Sequence, residues 1–189
     1  MRWLKTCLRE HHACGPDAES RVLPRRLVQI GPPGTSLDPR LVETDQLPLT
    51  TRYITLSHCW GTETFFCLKR ENVNQLKEHI PFHQLSKVFQ DAIVVLRRLG
   101  LLYIWIDSLC IVQDQLEDWR IESSKMGEVY RNSLCNIAAT GFGDGGSGLF
   151  VERGLLVLHA ERILINADII WDGKAFMRKG SYTSVDFNF

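Results

Sequence analysis

The sequence has no excess charge of either sign and no long apolar run. Its 189 residues carry 22 Lys and Arg against 22 Asp and Glu, and a balanced chain has no general field that attracts nucleic acid or an anionic membrane surface. The basic pairs Arg25-Arg26 and Arg97-Arg98 are too short to change this, and we interpret them as solvated charges. No stretch approaches the roughly eighteen apolar residues that span a bilayer, and residues 1–15 lack the apolar core of a signal peptide. These absences predict a cytoplasmic protein whose partners are neither nucleic acid nor membrane.

The six cysteines include no Cys-x-x-Cys pair. In a reducing compartment they are expected to be free thiols, buried as small hydrophobic side chains. The side chains of Cys7, His11, His12 and Cys14 have the chemistry of metal ligands, but their spacing matches no standard zinc signature and no second pair follows. We therefore predict no metal site. Repeats and low-complexity tracts are also absent, and 44% hydrophobic residues in a chain of this length predict one substantial core.

The chain does contain an apolar run that ends in a carboxylate. Residues 101–106 read LLYIWI, rich in aromatic and branched side chains, and Asp107 follows. This pattern predicts a strand that is buried on both faces. Because ligands of open α/β sheets bind beyond the carboxyl ends of strands, Asp107 is a candidate site residue. The alternative is that it is a helix cap or a turn residue.

The next segment predicts an amphipathic helix with a carboxylate on its apolar stripe. The side chains at intervals of three and four residues, which share one helix face, are Trp119, Glu122, Met126, Val129 and Tyr130. A carboxylate in such surroundings is costly to bury unless it is paired or hydrogen-bonded. Glu122 is therefore a better functional candidate than Glu128, which is expected on the solvated side. The alternative is that Glu122 reaches water at the edge of the stripe or pairs with Lys125 or Arg120.

Further segments complete a strand-helix-strand pattern. The alternation in residues 53–59 predicts a core strand followed by a sharp turn. Residues 85–99 have helical spacing, with Ser86 placed to cap the start and Gly100 placed to end the helix. Another short strand is predicted at residues 134–139. This order favours a parallel sheet with right-handed crossovers.

The remaining segments have weaker patterns. Residues 15–48 are rich in Pro, Gly and Asp, with one edge strand predicted at Arg26–Ile30. Three glycines in residues 141–146 satisfy G-x-G-x-x-G, but no amphipathic helix follows to bind a pyrophosphate, and a flexible loop is the simpler interpretation. Strand-like pieces occur at residues 155–158 and 163–165, with no indication of how they pair.

Three blocks of this sequence closely resemble those of the fungal heterokaryon incompatibility (HET) domain. The blocks are YITLSHCWG, LGLLYIWIDSLCIVQD and DWRIESSKMGEVYRNS, in that order. Segments before the first block and the sequence SGLFVER after the third are also similar, so the resemblance covers Leu23–Arg153. We therefore expect a HET domain at residues 49–153. An N-terminal lead-in at residues 1–48 and a divergent or truncated C-terminal tail at residues 154–189 would flank it.

The resemblance implies a role in nonself recognition, in which fusion of genetically different fungal cells induces cell death. It also implies a fold similar to Toll/interleukin-1 receptor (TIR) domains, a flavodoxin-like three-layer arrangement of a small parallel sheet flanked by helices. The expected partners are a second copy of the chain or other incompatibility proteins. Because some TIR domains hydrolyse NAD, one hypothesis by analogy is NAD glycohydrolase chemistry, and the other is a non-enzymatic homotypic assembly module. No cofactor is expected, with NAD only as a substrate.

If NAD is cleaved, the site must stabilise an oxocarbenium-like ribose while neutral nicotinamide leaves. A nearby carboxylate does so electrostatically, and we expect Glu122 in this role, with Asp107 as the second carboxylate. The residues expected to contact the ribose or phosphates, or to stack on a ring, are Ser57, His58, Trp60 and Gln113. Three structural alternatives apply. Ser57 bonds only backbone in the turn, His58 is a core histidine whose hydrogen bonds are satisfied, and Trp60 fills the core.

Overall fold

A five-stranded mixed sheet organises residues 26–138. This computed structural model describes residues 2–10, 22–32, 35, 37–60, 66–140 and 148–150, together with the backbone of residues 167–171 and 175–179. The chain divides into two units, Met1–Phe150 and Val151–Phe189. The helices of the first unit are α1 (Arg2–Glu10), α2 (Val73–Glu78), α3 (Lys87–Leu99), α4 (Asp107–Cys110), α5 (Leu116–Ser124) and α6 (Met126–Asn132), with a 3-10 turn at Phe82–Gln84. Its strands are β1 (Arg26–Gln29), β2 (Arg40–Glu43), β3 (Ile54–Ser57), β4 (Tyr103–Trp105) and β5 (Asn136–Ala138).

The strands are ordered β2-β1-β4-β3-β5. Strand β3 runs parallel to β4, with Ile54 beside Ile104, and parallel to β5, with Leu56 beside Ile137. The crossovers that these pairings require run through α2 and α3, and then through α4, α5 and α6. The predicted strand-helix-strand order is thus confirmed for this part of the sheet. Ligands of open α/β sheets bind beyond the carboxyl ends of strands, at the point where the strand order reverses. Because β3 lies between β4 and β5, a ligand site is expected at the carboxyl end of β3.

The prediction of a purely parallel sheet is wrong for two strands. Strand β1 pairs antiparallel with both β2 and β4. A short connection joins β1 to β2, and this suits antiparallel neighbours, whereas parallel neighbours need a crossover of about a dozen or more residues. The strand predicted near Arg26–Ile30 exists, but it is not an edge strand. Its outer side is covered by β2, which the sequence pattern did not predict.

Helix α3 begins and ends where the sequence predicted. The Ser86 hydroxyl accepts a hydrogen bond from the backbone N–H of Phe89 at 3.4 Å, which satisfies one donor of the first turn. Gly100 adopts a left-handed conformation with φ 69° at the other end, where a side chain would be strained. The face that α3 buries carries Val88, Phe89, Asp91, Ala92, Ile93 and Leu96. Its apolar members fix the helix on the sheet.

Helices cover both faces of the sheet. The Tyr53 hydroxyl, just before β3, donates to the carbonyl of Val129 in α6 at 2.7 Å. The His58 ring, just after β3, packs edge-on against Phe89 of α3 with centroids 4.8 Å apart. Side chains five residues apart on an extended chain point to opposite faces, so α3 and α6 lie on opposite sides of the sheet.

The second unit contains the antiparallel strands β6 (Ala167–Trp171) and β7 (Ala175–Lys179), with Ile169 beside Met177. The strands predicted at residues 155–158 and 163–165, and the glycine pattern at residues 141–146, lie outside the described residues. In the part of the chain that the structure describes, none of the helices has the length and apolar character that crossing a membrane requires.

Candidate functional site

The candidate site lies at the carboxyl ends of the parallel strands β3 and β4. Their register places Thr55 beside Trp105. Strand β3 ends at Ser57, and Asp107 follows β4 by two residues, so both lie at the same edge of the sheet. Ile106 is buried, and Asp107 begins the short helix α4. Asp107 is therefore the carboxylate that follows a strand, as predicted. The alternative of a helix cap is wrong, because Ile106 occupies the cap position and Asp107 is the first residue of the helix.

The Asp107 carboxylate contacts two of the other predicted site residues, Trp60 and His58. Its Oδ2 accepts a hydrogen bond from Nε1 of Trp60 at 2.8 Å, and its Oδ1 accepts one from the backbone N–H of Ser108 at 2.7 Å. The Nδ1 of His58 lies 3.7 Å from Oδ1. The side-chain amide of Gln113 donates to the backbone carbonyl of Asp107 at 3.2 Å. The structure thus brings Asp107, His58, Trp60 and Gln113 together.

The imidazole of His58 is buried and the indole of Trp60 is accessible. The His58 side chain is 3% exposed, whereas Trp60 is 42% exposed. The two rings are nearly parallel, with centroids 6.3 Å apart. Burial lowers the pKa of His58 below its usual 6.5, and the negative charge of Asp107 opposes this change. A neutral imidazole is therefore favoured near neutral pH, beside an indole that keeps an open surface.

Ser57 points to the other face of the sheet and joins a polar network with residues that the sequence analysis did not identify. Its hydroxyl donates to the side-chain oxygen of Asn136 at 3.2 Å, and its oxygen lies 3.4 Å from the hydroxyl of Tyr130, within hydrogen-bond distance. The Thr55 hydroxyl donates to the same Asn136 oxygen at 3.0 Å. These contacts link β3, β5 and α6. Because they are made with side chains, the alternative that Ser57 bonds only backbone in the turn is wrong, and these contacts hold Ser57 on the face of the sheet opposite to His58.

Glu122 faces inward, as predicted. It is 4% exposed, and its Oε1 has no hydrogen-bond partner among the described residues. Its ionic neighbour is Lys125, whose Nζ lies 3.8 Å from Oε1. This agrees with the alternative of pairing with Lys125, but the carboxylate is buried rather than at the edge of the helix. Within the described chain, no hydrogen bond or ion pair connects Glu122 to Asp107.

The single helix predicted around Glu122 is two helices, and the prediction that Trp119 lies on its buried face is wrong. The helices α5 and α6 meet at Lys125. Trp119 is 48% exposed, while Asp118 and Glu122, one turn apart, are the buried residues of α5. Hydrophobicity would turn Trp119 inward, but the ionic contacts of Asp118 hold the helix in a different rotation.

A buried ion pair fixes that rotation. Arg26 and Asp118 are each 4% exposed and form a direct salt bridge. Asp118 also accepts a hydrogen bond from the backbone N–H of Val112 at 2.9 Å, and Nε of Arg26 donates to the carbonyl of Cys110 at 2.8 Å. The interpretation of the Arg25-Arg26 pair as solvated charges is therefore wrong for Arg26. Arg25 is the solvated member, with a 55% exposed side chain 3.2 Å from Asp118.

The cysteines differ in accessibility. Cys110 is buried, and its burial raises the pKa of the thiol to about 12, whereas Cys59 is exposed next to His58. Among the described residues, no group of three His, Cys, Asp or Glu side chains is arranged to hold a metal ion. The potential ligands His11, His12 and Cys14 lie outside those residues.

Two open clefts, each of about 310 Å³, lie beside β1 and β2, and none of the six predicted site residues lines them. One cleft contains Gln29, Asp38, Arg40 and Glu78 in its wall. Chemically, the candidate site offers a carboxylate and a neutral imidazole next to an open indole face. The second predicted carboxylate, Glu122, is buried on helix α5.

Comparison with known families gives one match. A family model described as Heterokaryon incompatibility protein (HET) matches residues 53–174, which is more than half of the chain. All six predicted site residues lie within the matched range. The searches of curated proteins and of solved structures found no match.

Proposed function

The chain belongs to the heterokaryon incompatibility (HET) family, and on this basis we propose that it acts in nonself recognition between fungal cells and induces cell death when incompatible cells fuse. The observation that carries this proposal is the family match over residues 53–174. That range includes β3, β4 and the polar residues at their carboxyl ends. We place the protein in the cytoplasm, where the contents of fused cells mix.

The test is inducible expression of the 189-residue chain in a fungal host, with viability counted after induction. We expect induced cells to die. The matched variant is Asp107→Asn, which removes the charge that holds Trp60 and faces His58. It should reduce killing at equal protein level, while Asp114→Asn, an exposed change of the same kind, should not. Survival of cells that accumulate the folded protein would contradict the proposal.

A second candidate function is cleavage of the glycosidic bond of NAD, and the observation that favours it is the state of Glu122. A buried carboxylate oxygen without a hydrogen bond is costly in a folded protein, and Oε1 of Glu122 is such an atom in the described part of the chain. A ribose hydroxyl would satisfy it. The developing oxocarbenium ion would gain electrostatic stabilisation from a carboxylate that is already desolvated and fixed.

In this mechanism, Asp107 is a positioning residue. Both of its carboxylate oxygens already accept hydrogen bonds, from Trp60 and from the N–H of Ser108. It therefore orients the indole, whose open face would stack on a nucleotide ring. The buried imidazole of His58 lies nearly parallel to the indole, with ring centroids 6.3 Å apart, and helps to fix its orientation. Gln113 would provide a polar contact to ribose or phosphate, whereas Ser57 lies on the other face of the sheet with Asn136 and Tyr130 and takes no part in this mechanism.

The assay for this candidate is release of nicotinamide from NAD by the purified chain, followed by chromatography. Glu122→Gln keeps the shape of the side chain and removes its charge, so turnover should fall by about a hundredfold or more if the carboxylate stabilises the transition state. Glu128→Gln, an exposed change one helix further along, should leave turnover unchanged. Equal turnover in both variants would contradict the role of Glu122. If cells that express Glu122→Gln still die in the expression test, cell death does not depend on NAD cleavage by Glu122.

We also propose that the domain is TIR-like. The order β4-β3-β5 of the parallel strands supports this, because the first three strands of a flavodoxin-like sheet have the corresponding order 2-1-3. The test is an experimental structure compared with TIR domains over these strands and their crossover helices. A different connection between β4 and β5 would contradict the proposal.

A further inference from the structure

The buried salt bridge between Arg26 and Asp118 joins strand β1 to helix α5. Asp118 and Glu122 are the buried residues of α5 and lie one turn apart, on the same face of the helix. A rotation of α5 that moved Asp118 away from Arg26 would therefore also move Glu122 out of its buried position. The salt bridge thus fixes the direction in which Glu122 points.

The same ion pair holds the segment that follows Asp107. The carbonyl of Cys110, the last residue of α4, accepts a hydrogen bond from Nε of Arg26 at 2.8 Å. Two residues further on, the backbone N–H of Val112 donates to Asp118 at 2.9 Å. Asp107 is the first residue of this four-residue helix. The ion pair therefore fixes the end of a single helical turn whose start carries a carboxylate of the candidate site.

Stability alone does not account for a buried ion pair at this place. An apolar pair of similar volume is often as stable, because removing two charges from water offsets their attraction. Apolar side chains cannot, however, bind the carbonyl of Cys110 and the N–H of Val112, which the ion pair does at the same time. What the two charges add is therefore the placement of α5 relative to the segment after α4.

We propose that Arg26 and Asp118 are positioning residues of the candidate site, which hold Asp107 and Glu122 in place without touching the substrate. The kinetic consequence of this inference rests on the proposed NAD cleavage, whereas its structural consequence does not. Arg26 belongs to β1 and lies outside the residues 53–174 that the family model matches. The candidate site is therefore incomplete without a residue of the segment 1–48, which was predicted to be a separate lead-in.

The first test replaces both charges by apolar side chains. Arg26→Met/Asp118→Leu should recover most of the stability that Arg26→Met loses, which urea denaturation checks, but it leaves Cys110 and Val112 without their side-chain partners. We expect kcat for nicotinamide release from NAD to fall by about tenfold or more in this folded variant. Arg25→Met removes an exposed contact to the same carboxylate and should leave kcat unchanged. If the pair were purely structural, turnover would follow stability, so an unchanged kcat in the folded double variant would overturn the proposal.

The second test does not use NAD and follows the position of Asp107 by NMR. The indole N–H of Trp60 donates to the Asp107 carboxylate at 2.8 Å, so its NMR signal reports this contact. Trp60→Phe identifies the signal among those of the five tryptophans. We expect the signal to shift in Arg26→Met/Asp118→Leu. It should also shift in Arg26→Lys, which keeps the charge but cannot donate to both partners of the guanidinium, and it should stay in place in Arg25→Met.

The NMR test also separates this proposal from the NAD chemistry. If the unaltered chain releases no nicotinamide, the proposal of NAD cleavage fails, and the Trp60 signal still decides whether the ion pair positions Asp107. A Trp60 signal that stays in place in both variants at position 26 would overturn the inference, whatever the turnover.

Discussion

The sharpest prediction concerns the buried pair of Arg26 and Asp118. In Arg26→Met, the aliphatic part of the side chain remains and the charge is lost, so Asp118 is left buried with the N–H of Val112 and the solvated Arg25. Removing one partner of a buried ion pair typically costs about 3–5 kcal/mol. Domains have total unfolding free energies of about 5–15 kcal/mol. This one substitution should therefore remove a large part of the stability of the first unit.

The measurement is urea denaturation of the purified chain, followed by tryptophan fluorescence. Arg25→Met is the matched control, because Arg25 contacts the same carboxylate from a position where its side chain is 55% exposed. An exposed pair contributes about 0–1 kcal/mol, so the two variants should differ by several kcal/mol. The double variant Arg26→Met/Asp118→Leu should recover most of the loss, since an apolar pair of similar size is often as stable as a buried ion pair. Equal, small losses in Arg26→Met and Arg25→Met would refute the argument.

The elements that could be predicted from the sequence are those whose patterns are local. The alternation in β3, the apolar run of β4 and the spacing of α3 between Ser86 and Gly100 each lie within about fifteen residues, and all three elements are present. Glu122 faces inward as predicted, but the stripe that predicted this also included Trp119, which is exposed, so the pattern was only partly right. Helical spacing connects Glu122 to Val129, which is also buried.

The features that could not be predicted depend on partners that are distant in the sequence. Arg26 and Asp118 are separated by 92 residues, and no local pattern indicates that these two charges meet. Their pairing also explains the error at Trp119, since the ionic contact outweighs the burial of one indole. The pairing of β1 with β2 and β4 was missed for a related reason. Four-residue strands in a segment rich in Pro and Gly leave the register to tertiary contacts.

The candidate site was predicted where a strand end and a motif coincide. Asp107 is predicted from its place after the strand β4, whereas His58 and Trp60 are predicted as contacts to a nucleotide; the parallel pairing of β3 with β4 brings all three together. Asn136 and Tyr130, which bind Ser57, were not chosen. Their contacts depend on how α6 lies across β3 and β5, which helical spacing alone does not determine.

Two further predictions concern a histidine and a glycine. Because burial lowers the pKa of His58 and Asp107 opposes this, NMR titration should give a pKa below 6.5, and Asp107→Asn should lower it further; an increase would refute the assignment. The unfolded chain then binds the proton more readily, so the stability contributed by His58 is complete above pH 6.5 and falls as the pH drops below it. Gly148 has φ 78°, and a Cβ there would lie 2.5 Å from Oδ2 of Asp91, a buried carboxylate on α3. Gly148→Ala should therefore cost about 1–3 kcal/mol in urea denaturation, from backbone strain and displacement of Asp91. Gly127→Ala is the control, because a Cβ at this helical position meets nothing within 4 Å, and it should stabilise by about 0.5–1 kcal/mol. If the two variants had the same stability, a glycine at position 148 would not be required for the contact between residues 148–150 and Asp91 of α3.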